Sequence, residues 1–220
     1  MFVKKYYSKY KKISSDRPKI KDDTILRRIE NILKFPIIYG STKQFLDSVY
    51  EQYNKHGQLS KAQVDAVEKI EKKYSKETIA SYNEWKLKYS AEKREIAKIC
   101  ALYYKANPPY FTELVEKILS DPNFVPTERQ FTSMCENKFT KKVIEGTKAK
   151  PKFSIGEAVL GRKNGPIKIK DAHFLVIEVG AKPIVSAAKG SKVYTLLPFG
   201  ETHTVDCEER YLKKTKRGLK

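Results

Sequence analysis

The chain has 220 residues, 40% hydrophobic and 11% aromatic, which is enough apolar material for one large core or two small ones and excludes a disordered polymer. Its net charge of +19 at pH 7 points to an acidic partner. No run approaches the roughly 18 apolar residues of a membrane span and no apolar stretch follows the basic N-terminus, so a cytoplasmic protein without membrane contact is expected.

The charge is clustered. Residues 1–35 hold 11 basic and 4 acidic groups, residues 36–137 hold 15 and 14, residues 138–170 hold 10 and 2, and residues 171–220 hold 9 and 6. A near-neutral middle flanked by basic segments suits a polyanion, because Lys and Arg that neutralise phosphates release condensed counterions. The alternative is a surface charged for solubility alone.

In residues 1–21, Lys4, Lys5, Lys9, Lys11 and Lys12 interleave with Tyr6, Tyr7 and Tyr10 without a helical stripe. The pattern predicts an extended arm whose ammonium groups meet phosphates and whose rings stack on unpaired bases. The competing expectation lays the tyrosines on the protein's own surface.

Helices are expected from Asp22 to about Gly146. Ile25, Leu26, Ile29, Ile32 and Leu33 recur at three- and four-residue steps, Asp22 or Asp23 is placed to cap them, and Pro36 stops them. Phe45, Val49 and Tyr53 form the next stripe, ending near Gly57, and Val64, Val67 and Tyr74 another. One long helix is predicted from about Lys76 to Ala106, closed by Pro108 and Pro109. Phe111, Val115 and Ile118 start a further helix, and Phe131, Met134, Cys135 and Phe139 lie on the last, with Gly146 as its stop.

Two passages repeat within this region. Ser60 with Gln63 and Thr127 with Gln130 both have the capping-box spacing, and Leu59 with Val64 and Pro126 with Phe131 the apolar staple around it. Phe45 and Val49 before the first box match Phe111 and Val115 before the second, which predicts a duplicated helical hairpin. The segment "FLDSVYEQYNKHGQLSKAQ", Phe45 to Gln63, resembles a stretch found in poorly characterised bacteriophage proteins. The resemblance implies a phage origin, and hence a host-cell cytoplasm, rather than an activity.

Residues 147–152, with Lys148, Lys150 and Lys152, read as a basic linker, after which Val, Ile, Tyr and Phe gather in short runs between Gly, Pro and Lys loops. Phe153, Gly156, Glu157 and Val159 open the region, Phe174 to Val179 forms a central strand, and Glu208 to Leu212 closes it. This order resembles SH3-like barrels of the KOW and Tudor kind, whose members bind RNA, DNA, peptides or other proteins. "GRKNGPIKIK" falls between strands, where Arg162, Lys163, Lys168 and Lys170 form a candidate phosphate-contacting loop. Phe174, Tyr194, Phe199 and Tyr211 are candidates for an aromatic cage, although core positions explain most of them.

No Walker A loop, dinucleotide-binding glycine fingerprint, HExxH or GxSxG occurs, so no catalytic residue and no cofactor are assigned. The three cysteines and three histidines are scattered and without ligand spacing, so no metal site is assigned either. The fold expected is α+β: an arm over 1–21, a helical domain over 22–146, the linker over 147–152, an SH3-like β-barrel over 153–215 and a basic tail over 216–220. The function expected is that of a non-catalytic nucleic-acid-binding accessory protein in replication, transcription or RNA handling, on DNA or RNA. The alternatives are an adaptor docking on a host polymerase, nuclease or ribosome, and a metal-dependent nuclease using acidic pairs such as Asp22 with Asp23 or Glu208 with Glu209.

Overall fold

The computed structural model describes residues 19–180 and 182–215. Eight α-helices, seven strands and one 3-10 turn are found among them, giving a mixed α+β chain. The chain divides into two compact units after Lys88.

In the first unit, β1 (Lys19–Ile20) precedes α1 (Ile25–Leu33), α2 (Gly40–His56), β2 (Leu59–Ser60), α3 (Lys61–Lys73) and α4 (Lys76–Lys88). The expected stripes meet in one core, in which Ile25, Ile29, Leu46, Val49, Leu59 and Val67 are buried. Removing such side chains from water is the main stabilising term. Before α1, Asp22 accepts from the Thr24 amide at 3.0 Å and the Thr24 hydroxyl at 2.6 Å, holding the entry turn. Arg28 of α1 then ties the entry turn to α3, donating to Asp22 Oδ2 at 2.8 Å and to the two Glu71 oxygens at 3.0 and 2.6 Å. Gly57 adopts φ 66° and ends α2, its amide donating to the Tyr53 carbonyl at 2.7 Å. Both capping boxes form: Ser60 and Gln63 start α3, and Thr127 and Gln130 start α7 (Glu128–Cys135) of the second unit.

The second unit opens with α5 (Ala91–Ala106), α6 (Thr112–Ser120), α7 and α8 (Lys138–Lys148). The single helix expected from Lys76 to Ala106 is two, α4 and α5. Ser90 is extended, with ψ 167°, and its hydroxyl accepts from the Lys93 amide, so a local cap outcompetes continuation of the helix. The last helix is likewise divided. Asn137 accepts from the Phe139 and Thr140 amides at 3.0 and 3.2 Å to start α8, while its amide nitrogen donates to the Ser133 and Met134 carbonyls of α7 and to Tyr104 Oη. Gly146 does not stop α8, which runs on to Lys148. A Cβ at Gly146 would lie 3.2 Å from Ile184 Cδ1 and 3.4 Å from Ser191 Oγ, so this glycine serves close approach by a later loop.

Strands β3 (Ala158–Gly161), β4 (His173–Val179), β5 (Val193–Pro198), β6 (Val205–Glu208) and β7 (Leu212–Lys214) form an antiparallel sheet in the order β6-β5-β4-β3-β7. A 3-10 turn, Glu209–Tyr211, joins β6 to β7. Phe174 and Val176 of β4 alternate inward with Tyr194 and Leu196 of β5, meeting Val159, Cys207 and Leu212 in a second core.

Candidate functional site

From Gly161 the chain leaves β3 into a segment, residues 162–172, before returning as β4. Three features pin it. Ile169 enters the sheet core, 2% exposed. Gly161 lies so close below that a Cβ there would be 1.6 Å from the Ile169 carbonyl oxygen. Arg162 ties the segment to β7 and the turn before it, its amide donating to Tyr211 O at 2.7 Å and its Nε to Leu212 O at 2.9 Å. Within the segment, the Gly165 amide donates to Arg162 O at 2.9 Å, and the Ile169 and Lys170 amides to Pro166 O at 2.8 and 2.9 Å.

The anchoring leaves Lys163, Lys168 and Lys170 exposed on an ordered scaffold, in no ion pair among the described residues. Beside them, Lys213 and Lys214 of β7 stand in register with Leu160 and Val159 of β3. Arg162, Lys163, Lys168 and Lys170 thus lie on the segment that follows β3, and Lys213 and Lys214 on the edge strand paired with β3, with Asp171 the single acidic group of the segment. Such an array can neutralise several phosphates of one strand without reading its bases. Lys213 and Lys214 are members that sequence reasoning misses. The adjacent lysines of "YLKK" are the available signal, but their pairing with β3 is a register that no local pattern carries.

The remaining predicted contacts are placed differently. Lys4, Lys5, Tyr6, Tyr7, Lys9, Tyr10, Lys11 and Lys12 lie outside the described residues. Lys148, in the last turn of α8, pairs with Glu92 of α5 at 3.0 Å. Lys152 donates its backbone amide to Tyr194 Oη and Glu209 Oε2, both at 3.0 Å, and its Nζ lies 3.3 Å from Glu209 Oε1. Lys150 is exposed and in no ion pair among the described residues.

Lys152 therefore belongs to a buried polar knot. Glu209 is 6% exposed and accepts from Tyr194 Oη at 2.8 Å, and Tyr194 Oη accepts in turn from the amides of Lys152 and Phe153. Burial, reinforced by the Glu209 carboxylate, pushes the Tyr194 phenol up to about 12, so it is a hydrogen-bond donor at neutral pH.

The aromatic residues do not make a cage. Phe174 and Tyr194 are fully buried, Phe199 is exposed with its ring centroid 6.2 Å from that of His173, and Tyr211 lies under the Arg210 guanidinium at 4.7 Å. The acidic pairs are engaged elsewhere: Glu208 with Arg210, Glu209 in the knot, Asp22 with Thr24 and Arg28, and Asp23 with Lys21 and Tyr53. Among the described residues, no group of three or more His, Cys, Asp or Glu side chains is arranged to hold a metal ion, and no helix is long and apolar enough to cross a membrane. In comparisons with known proteins, no family model matches the chain, and neither a curated protein nor a solved structure is significantly similar to it.

Proposed function

We propose that the protein is a non-catalytic nucleic-acid-binding accessory factor that grips the phosphate backbone through the basic edge of its sheet. The observation that carries this is the set Arg162, Lys163, Lys168 and Lys170 on a segment held in place by Ile169, Gly161 and the Arg162 hydrogen bonds, next to the β7 strand that carries Lys213 and Lys214. A pinned cationic array loses little side-chain and loop freedom on binding, which leaves more of the counterion-release energy as affinity. The Lys/Tyr arm adds stacking and charge in this scheme, and the phage resemblance of Phe45 to Gln63 gives the setting as an infected cell.

An SH3-like barrel is the fold this proposal assigns to residues 153–215. Four strands meander and the fifth returns to pair with the first, as the order β6-β5-β4-β3-β7 records. The connection from β6 to β7 supports curling. In a flat sheet these edge strands would stand roughly 19 Å apart, at about 4.8 Å per strand spacing. The three-residue 3-10 turn spans well under that, at about 2 Å of rise per residue, which favours edges brought round toward each other.

The test is binding of the full chain to matched single- and double-stranded DNA and RNA across a salt series. The triple variant K163Q/K168Q/K170Q is expected to weaken binding for all sequences alike and to reduce the log–log salt slope by about 0.7–0.9 for each phosphate that is no longer neutralised. Salt-independent affinity, or a slope the variant leaves unchanged, would overturn the proposal. The adaptor alternative draws on exposed Ile155, Ile167 and Ile177 of the same region, an apolar surface a protein partner could cover. Capture of a host polymerase, nuclease or ribosomal protein that survives nuclease treatment and is lost in I155S/I177S would favour it.

A further inference from the structure

A second basic feature of the 89–220 unit is concave. A cleft of about 670 Å³ lies between the end of α8, the following residues and the loop before β5. Lys142, Lys150, Lys152, Lys189 and Lys192 line it from these three stretches, with Glu145 and Glu209 as the acidic members. Two of the five ammonium groups have partners: Lys152 on Glu209 at 3.3 Å and Lys192 on the Thr147 carbonyl at 3.0 Å. Lys142, Lys150 and Lys189 are exposed and make no ion pair among the described residues.

The walls are fixed. Gly190, at φ 74°, passes so close to Arg210 that a Cβ would meet Arg210 Cβ at 3.2 Å. The Arg210 amide donates to Gly190 O and the Glu209 amide to Lys192 O, both at 2.8 Å, which holds the lip of the loop against the 3-10 turn. Ser191, 1% exposed, lies in the wall, and its Oγ has no hydrogen-bond partner among the described residues. A buried hydroxyl without a partner is uncommon in folded proteins and marks a place where a donor stands unused.

Five cations against two carboxylates leave an excess of three positive charges facing one cavity. We propose that this cleft binds a short phosphate chain, a pyrophosphoryl group carrying about three negative charges at neutral pH, with Lys142, Lys150 and Lys189 as its principal contacts. Lysine suits this role, since an ammonium on a long stem meets phosphate oxygens as a point charge without demanding the planar geometry of a carboxylate. The free source is inorganic pyrophosphate or the phosphates of a nucleotide; the polymeric source is the 5′-triphosphate end of an RNA. The inference stands apart from backbone binding at the sheet edge.

Isothermal titration of the full chain with inorganic pyrophosphate, ADP, adenosine and an RNA oligonucleotide bearing either a 5′-triphosphate or a 5′-hydroxyl provides the test. Saturable binding of pyrophosphate and ADP but not adenosine is expected, and K142Q/K150Q/K189Q should weaken it by about tenfold. K163Q/K168Q/K170Q should leave it unchanged, and circular dichroism should show both variants folded. An added preference for the 5′-triphosphate end, lost in K142Q/K150Q/K189Q, would name the polymeric source, and its absence the free one. The proposal is overturned if pyrophosphate does not bind, or if its affinity is indifferent to K142Q/K150Q/K189Q. Pyrophosphate binding in a chain that shows no salt-dependent nucleic-acid affinity would sustain this site while removing the sheet-edge function.

Discussion

Gly161 is the residue on which the basic edge depends most directly. Its missing side chain lets the Ile169 carbonyl approach to a place a Cβ would occupy, and the atom in the way is backbone, unable to rotate aside. Gly161→Ala is expected to cost about 1–3 kcal/mol by overpacking and to free residues 162–172. Urea denaturation would report the first effect and faster proteolysis within the segment the second. Asp22 sets a different dependence. The Thr24 hydroxyl, and then the Thr24 amide and Arg28, hold its carboxyl below the usual range. A depressed folded value means the contribution is full above the unfolded pKa of about 3.9 and fades as pH falls through the lower folded value. Asp22→Asn should therefore reduce stability at neutral pH and flatten the acid limb below about pH 4, as equilibrium unfolding across pH would show.

At the scale of elements, the two capping boxes give the clearest test. Each satisfies two otherwise unpaired amides at a helix start, so Ser60→Ala and Thr127→Ala should each cost about 1 kcal/mol. Sharing no partner, they should add in the double variant, which the midpoints of urea curves would reveal. These starts were legible in the sequence because the chemistry is contained in four consecutive residues. The breaks at Ser90 and Asn137 were not, since apolar residues recur at helical steps across them, as Tyr82, Trp85, Tyr89 and Ile96 around the first and Phe131, Met134, Cys135 and Phe139 around the second. The basic loop was legible as Arg162, Lys163, Lys168 and Lys170, while its extension to Lys213 and Lys214 waited on strand register. Ile169 was hidden for a related reason: an isoleucine among lysines has no periodicity to announce that it fills a core. Lys213 and Lys214 also sit on an edge strand, where lysine discourages pairing with another sheet, whatever their part in the proposed binding.

For the whole molecule, the net charge of +19 has two effects of opposite sign. Self-repulsion among clustered cations opposes the compact state, and salt screens it. Raising ionic strength from about 0.05 to 0.5 M should therefore raise the thermal midpoint while weakening polyanion binding. Scanning calorimetry and binding measured in the same buffers would check the pair; a midpoint that falls with salt would show that ion pairs such as Arg28 with Glu71 outweigh the repulsion.

The return of β7 to β3 carries a consequence in time. Val159 and Lys214 are partners from opposite ends of the sheet region, so their pairing requires closure of a long loop and carries its entropic cost. The cationic edge draws four of its six members from the segment after β3 and two from β7, so it is complete only when that closure is made. A nascent or partly folded chain would carry the same charges without the array, and the proposed grip on phosphate would await that closure.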